Sequence, residues 1–145
     1  MAHIDLLMGV KNGPVDKAIK EALNRPDLTR SKPRVVSEKP MIMLVPTVTV
    51  RTSKQVSHIK EAEKGVIAAV KDSIKSGVLP EEMLDDLVMI ANVFVHPGAA
   101  NLQRIRINNY KAMRAAIRKT LENRPTLDEI VNEKESARHP FRYAP

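Results

Sequence analysis

An α/β fold, an α+β sandwich of one small sheet with helices packed on it, is what three features of the sequence predict. Short apolar or β-branched runs alternate with segments of helical period along the chain. The 145 residues, 43% of them apolar, suffice for one buried core. No Gly/Ser-rich linker and no internal repeat divides them, so a single domain over residues 1–145 is the expectation.

Residues 3–8 run or alternate apolar up to Gly9 and predict a short strand. After the turn Lys11-Asn12-Gly13, Pro14 suits the first helical position, and Val15, Ala18, Ile19, Ala22 and Leu23 keep helical spacing as far as Pro26. Residues 25–40 hold Pro26, Pro33 and Pro40 among charges and read as an irregular surface loop. Met41 to Val50 is rich in β-branched residues, but Pro46 cannot donate to a ladder, which predicts an edge strand or one broken there.

Thr52-Ser53-Lys54-Gln55 has capping-box spacing ahead of a long helix whose inner face is Ile59, Ala62, Val66, Ala69 or Val70, Ser73 and Gly77. Gly77 fits a left-handed helix stop, and Pro80 opens a helical turn over residues 81–85. Leu87 to Val95 is the most apolar stretch and lacks helical period, which predicts a buried central strand. From Leu102 to Leu121 helical spacing returns, with Leu102, Ile105, Asn109, Met113, Ala116, Ile117 and Thr120 inward and Arg104, Lys111, Arg114 and Arg118 on an outer face. Thr126 and Glu129 cap a last short helix ending near Ala137, before the tail His139-Pro140-Phe141.

Composition removes several function classes. Without Cys there is no disulfide framework, no thiolate zinc site and no cysteine nucleophile. The start lacks a basic leader and is interrupted by Asp5, and no later run of about eighteen residues is free of charge, so a soluble protein without signal peptide or membrane span is expected; the lack of Cys permits the cytoplasm, which is the expected location. Basic residues number 24 against 17 acidic ones, a formal charge of +7, and they cluster: eleven against four in residues 11–60, seven against one in residues 104–124. That field attracts anions. Two Phe, two Tyr and no Trp nevertheless argue against a base-stacking platform for nucleic acid.

Few residues offer chemistry. His3 and Asp5, two apart on a strand, share a face, and a His beside a carboxylate is either an acid–base group or a plain strand-end hydrogen bond. His96 follows the central strand, at the end where open sheets place ligand crevices, or is a strand-end donor. His58 falls on the exposed side of its helix and His139 on the tail, and neither has a ligand-spaced partner, so no metal is expected. Gly9 and Gly13 lack phosphate-loop spacing, and Ser53 and Ser57 lack a nucleophile elbow. The methionines at apolar positions, Met41, Met43, Met83, Met89 and Met113, read as core or interface filler.

Ala2-His3-Ile4-Asp5-Leu6, Gly9 with Gly13-Pro14-Val15, Lys39-Pro40, Val48-Thr49-Val50, Gly77-Val78-Leu79-Pro80, Asp85-Asp86-Leu87, Val93-Phe94-Val95-His96-Pro97, Asn109-Tyr110-Lys111-Ala112 and His139-Pro140-Phe141 closely resemble, in order and over nearly the whole chain, the formaldehyde-activating enzyme family. The resemblance implies a left-handed βαβ crossover, a homopentamer with the pterin in a cleft between adjacent subunits, and metal-free condensation of formaldehyde with tetrahydromethanopterin or another reduced pterin. It implies His3 as the acid catalyst and Asp5 and Thr49 as pterin contacts. Thr47 stands where the family has a contacting Lys and Glu63 where it has a contacting Gln, so both count as substrate-binding positions with altered chemistry. The loop that supplies an apolar wall in the family is shorter here, around residues 34–38, and the resemblance implies a further strand before Ala-His-Ile-Asp where this sequence starts at Met1, so a divergent member with a shortened N-terminus is the expectation. The alternative is a non-catalytic homologue that binds a pterin, an aldehyde adduct or a partner protein.

Overall fold

A computed structural model describes residues 2–25, 33–47, 53–96 and 99–123. In chain order these form β1 (Ala2–Val10), α1 (Pro14–Asn24), β2 (Arg34–Glu38), β3 (Met41–Pro46), α2 (Ser53–Lys75), a 3-10 turn (Glu81–Met83), β4 (Leu87–Val95) and α3 (Leu102–Asn123). The four strands make one mixed sheet in the order β1-β4-β3-β2. β1 and β4 pair antiparallel, β2 and β3 form a hairpin, and β3 and β4 run parallel, joined through α2. The expected α+β sandwich is thus observed, with one mixed sheet between helices.

β4 is the central strand that its apolar run predicts, and the helical segments 14–24, 53–75 and 102–123 lie where spacing places them. Three expectations need correction. Residues 34–38 are strand rather than loop: Val35 pairs with Met43 and Glu38 with Met41, with an irregularity between Val35 and Ser37. β3 is therefore an inner strand, and β2 takes the edge. Pro46 is tolerated because β2 stops pairing at Leu44, and the next residue, Thr47, restores the link to β4 by donating its N–H to Val93 O at 3.0 Å. Finally, Leu102 is 44% exposed rather than inward. The expected cap at Thr52, the helix from 126 and the tail lie outside the described residues.

Each sheet face has its own core. Ile4, Met8, Ile42, Leu44, Met89, Ala91 and Val93 pack under α2 and α3 against Val66, Ala69, Met113 and Ile117. On the opposite face α1 sets Ile19 against Met43, Val88 and Ile90, and Gly9 lets it approach: a Cβ there would stand 2.9 Å from Val15 Cγ2. α2 and α3 touch at Gly65, where a Cβ would lie 2.3 Å from Arg106 O.

Farther along the same pair, Tyr110 OH donates to Asp72 Oδ2 at 2.5 Å. That hydrogen bond, with burial and the carboxylate charge, holds the phenol above its ordinary range, while Arg114, 6.0 Å from the ring centroid, opposes the shift. The sequences of α2 and α3 hold eleven Lys/Arg and four Asp/Glu, so the whole +7 excess resides in this layer.

Candidate active site

Residues paired across a sheet share a face, which fixes what surrounds His3. His3, Asp5 and Leu7 of β1 oppose Phe94, Asn92 and Ile90 of β4, and β3 continues two of these rows, with Val45 beside Asn92 and Met43 beside Ile90. α1 covers the end of this face that carries Val88 and Ile90. The rows of His3 and Asp5 are left open, with side chains 69% and 73% exposed, while the intervening Ile4 turns into the core under α2 and α3.

His3 Nε2 lies 3.1 Å from Asp5 Oδ1, so the pair that spacing predicts is formed. An imidazole held in this way has one nitrogen fixed by the carboxylate and a ring able to pass a proton. Beside it, Phe94 meets His96 edge to face, ring centroids 6.4 Å apart and planes at 89°. His96 is thus an aromatic neighbour of the site.

The other sequence-predicted positions are distributed differently. Thr47, at the C-terminal end of β3, turns its Oγ1 back to Val93 O at 3.2 Å. Glu63 lies on α2, across the sheet from His3, and its Oε1 accepts from Arg34 Nη2 at 3.2 Å. Its second oxygen is buried without a hydrogen-bond partner. Thr49 lies outside the described residues. His58 is 4% exposed, not on the outer side of its helix, because it extends the buried stripe of Ala62 and Val66 by one turn. A recess of about 350 Å³ beneath the N-terminus of α3, bordered by Ala2, Val95, Arg104 and Ile105, faces the helical layer rather than His3.

Among the described residues no three His, Asp or Glu side chains are grouped to hold a metal, and no helix is long and apolar enough to cross a membrane. Two residues that stand opposite the His3–Asp5 pair, Asn92 and Phe94, were not singled out by sequence reasoning. Asn92 is marked in the sequence only as the one polar residue in the apolar run of β4, and its nearness to the pair, like that of Phe94, comes from the strand register.

The family model described as formaldehyde-activating enzyme matches residues 1–142. The bifunctional enzyme Fae/Hps of Methanothrix thermoacetophila is 39% identical over 147 residues, which cover 97% of this chain and 37% of that protein. The bifunctional enzyme of the same name from Archaeoglobus fulgidus is 36% identical, with 97% and 37% covered. A 5,6,7,8-tetrahydromethanopterin hydro-lyase of Methanosarcina barkeri is 36% identical over 97% of this chain and 83% of its own length. The chain therefore spans little more than a third of the bifunctional relatives and most of the hydro-lyase.

Proposed function

The chain belongs to the formaldehyde-activating enzyme family, and from that premise we propose that it condenses formaldehyde with tetrahydromethanopterin to methylene-tetrahydromethanopterin and water. The observation that carries this reading is the 3.1 Å contact between His3 and Asp5 on the open part of the sheet. In the condensation one pterin nitrogen attacks the formaldehyde carbon, the hydroxymethyl group so formed loses its hydroxyl, and a second nitrogen closes onto the same carbon. The carbonyl oxygen leaves as water with the two protons released from nitrogen. Protonated His3 gives its proton to the departing hydroxyl and recovers one from nitrogen, so that it ends the cycle as it began. Asp5 holds the imidazole and offers its other oxygen to a pterin N–H. Binding both reactants on one surface adds the gain of proximity. Proton transfer from His3 calls for no metal.

A pair this exposed in one chain leaves the reacting groups in water, where their electrostatics are weak. Leu7, Leu23 and Val35, exposed on this side of the sheet, mark a surface suited to apolar cover. The second wall of the cleft is accordingly assigned to an adjacent copy in a cyclic homopentamer, as the family resemblance implies. Glu63, on the opposite layer from His3, then serves a neighbouring copy's cleft, and Thr47 and Thr49 complete the pterin contacts. Residues 1–145 act as one domain in this reading, in the cytoplasm.

Stopped-flow measurement of the condensation tests it. The protein should accelerate the reaction of formaldehyde with tetrahydromethanopterin above the spontaneous rate, and no acceleration would refute the proposal. A pterin-binding homologue without catalysis is the second reading, favoured by the intrachain bonds of Thr47 and Glu63. Binding with no acceleration would select it.

A further inference from the structure

We propose that Asn92 and Phe94 are the substrate-reading half of the site: Asn92 hydrogen-bonds the amino–oxo edge of the pterin ring, and Phe94 forms the apolar floor beneath it. This rests on the functional reading above and adds residues that it does not assign.

β4 reads Leu-Val-Met-Ile-Ala-Asn-Val-Phe-Val, one polar residue among nine. Asn is disfavoured in strands, and its amide carries donors and acceptors that a central strand leaves costly to bury. A local conflict of that kind in an otherwise consistent element marks a position kept for function. The position is informative. Asn92 and Phe94 are the two residues of β4 that are not fully buried, and they stand directly opposite Asp5 and His3. The break in burial along the central strand thus coincides with the catalytic pair on its neighbour, at the place where α1 ceases to cover the sheet.

The chemistry of the two rows is complementary to a pterin. The edge of a 2-amino-4-oxo ring presents N–H donors beside a carbonyl acceptor. Asp5, as a carboxylate, only accepts and so takes the donors; the carbonyl oxygen it would repel needs an N–H, which the Asn92 amide supplies. Opposed strand residues have Cβ atoms roughly 5 Å apart, close enough for two side chains to address neighbouring groups on one ring edge. Phe94, its ring braced by His96, gives the heterocycle an apolar surface in the row of His3. Asn92 neither gives nor takes a proton in the reaction, so its contribution is to binding of the pterin rather than to the chemical step.

Steady-state condensation kinetics with varied tetrahydromethanopterin test this in the full chain, using Asn92→Val, which suits a strand, and Asn92→Asp, which keeps the shape but loses the donor and faces Asp5 with like charge. Both variants should raise KM about ten- to a hundredfold, the loss of one or two hydrogen bonds, with kcat within about threefold of wild type. Phe94→Ala should raise KM in the same way. Catalytic wild type whose Asn92→Val variant keeps the wild-type KM, or loses only kcat, would overturn this proposal alone. Wild type that neither catalyses nor binds tetrahydromethanopterin would overturn the functional reading and this proposal with it.

Discussion

Replacing Gly65 by Ala adds one methyl group to the contact between α2 and α3, and its cost can be worked from the backbone. The new Cβ would stand 2.3 Å from Arg106 O and 2.9 Å from Tyr110 N. Real Cβ atoms essentially never come closer than 3.0 Å, so α3 must retreat by about 0.7 Å. The obstacle is main chain and cannot rotate away. Ala gains about 1 kcal/mol over Gly in helix propensity. Against this, overpacking costs up to about 3 kcal/mol, and a gap of this size forfeits roughly a quarter to a half of the dispersion well of each contact opened. Lifting α3 opens contacts of Ile105, Met113 and Ile117 with the main core. The net expectation is about 2 kcal/mol of lost stability, a fall in Tm of roughly 4–8 °C. Thermal melts by circular dichroism at one fixed protein concentration measure it, since association also moves Tm. A Gly65→Ala protein that melts at or above wild type would refute the close approach of the two helices.

Thr47→Lys combined with Glu63→Gln should tighten tetrahydromethanopterin binding, since a cation replaces a neutral hydroxyl and an amide replaces an acceptor-only carboxylate; each restored contact is worth about 1–3 kcal/mol, and calorimetry showing no gain would remove both positions from the pocket. Light scattering should give a closed oligomer, five copies on the family pattern, and a monomer at micromolar concentration would leave His3 and Asp5 without their second wall.

Much of the fold was legible because burial follows period. The stripe Ala62, Val66, Ala69 and Ser73 is buried as its spacing requires, and β4 is central as its apolar run requires. The strand at 34–38 was hidden because its strandlike content is two valines between prolines and charges, and it is held by pairing with β3, a non-local cause that local composition does not encode. The same hairpin moved β3 from the edge to the interior. His58 misled through polarity, since its position at helical spacing from Ala62 places it inward whatever its chemistry.

Within the site, His3 and Asp5 were readable from their two-residue spacing, which a strand turns into a shared face. Phe94 and Asn92 were not, because their nearness to that pair depends on the β1–β4 register, which the sequence of either strand alone leaves open. Glu63 shows the reverse: the resemblance groups it with His3, whereas in one chain the sheet stands between them and Arg34 engages it.

If His3, oriented by Asp5, is the acid of a formaldehyde condensation, the stopped-flow rate with tetrahydromethanopterin must separate wild type from His3→Gln. Gln retains hydrogen-bonding groups near Asp5 but cannot deliver a proton near neutral pH. The wild-type acceleration should fall about 100- to 10,000-fold in the variant, with pterin affinity and Tm little changed, because His3 is exposed and contributes little to the core. A His3→Gln protein that accelerates the condensation as wild type does would contradict it.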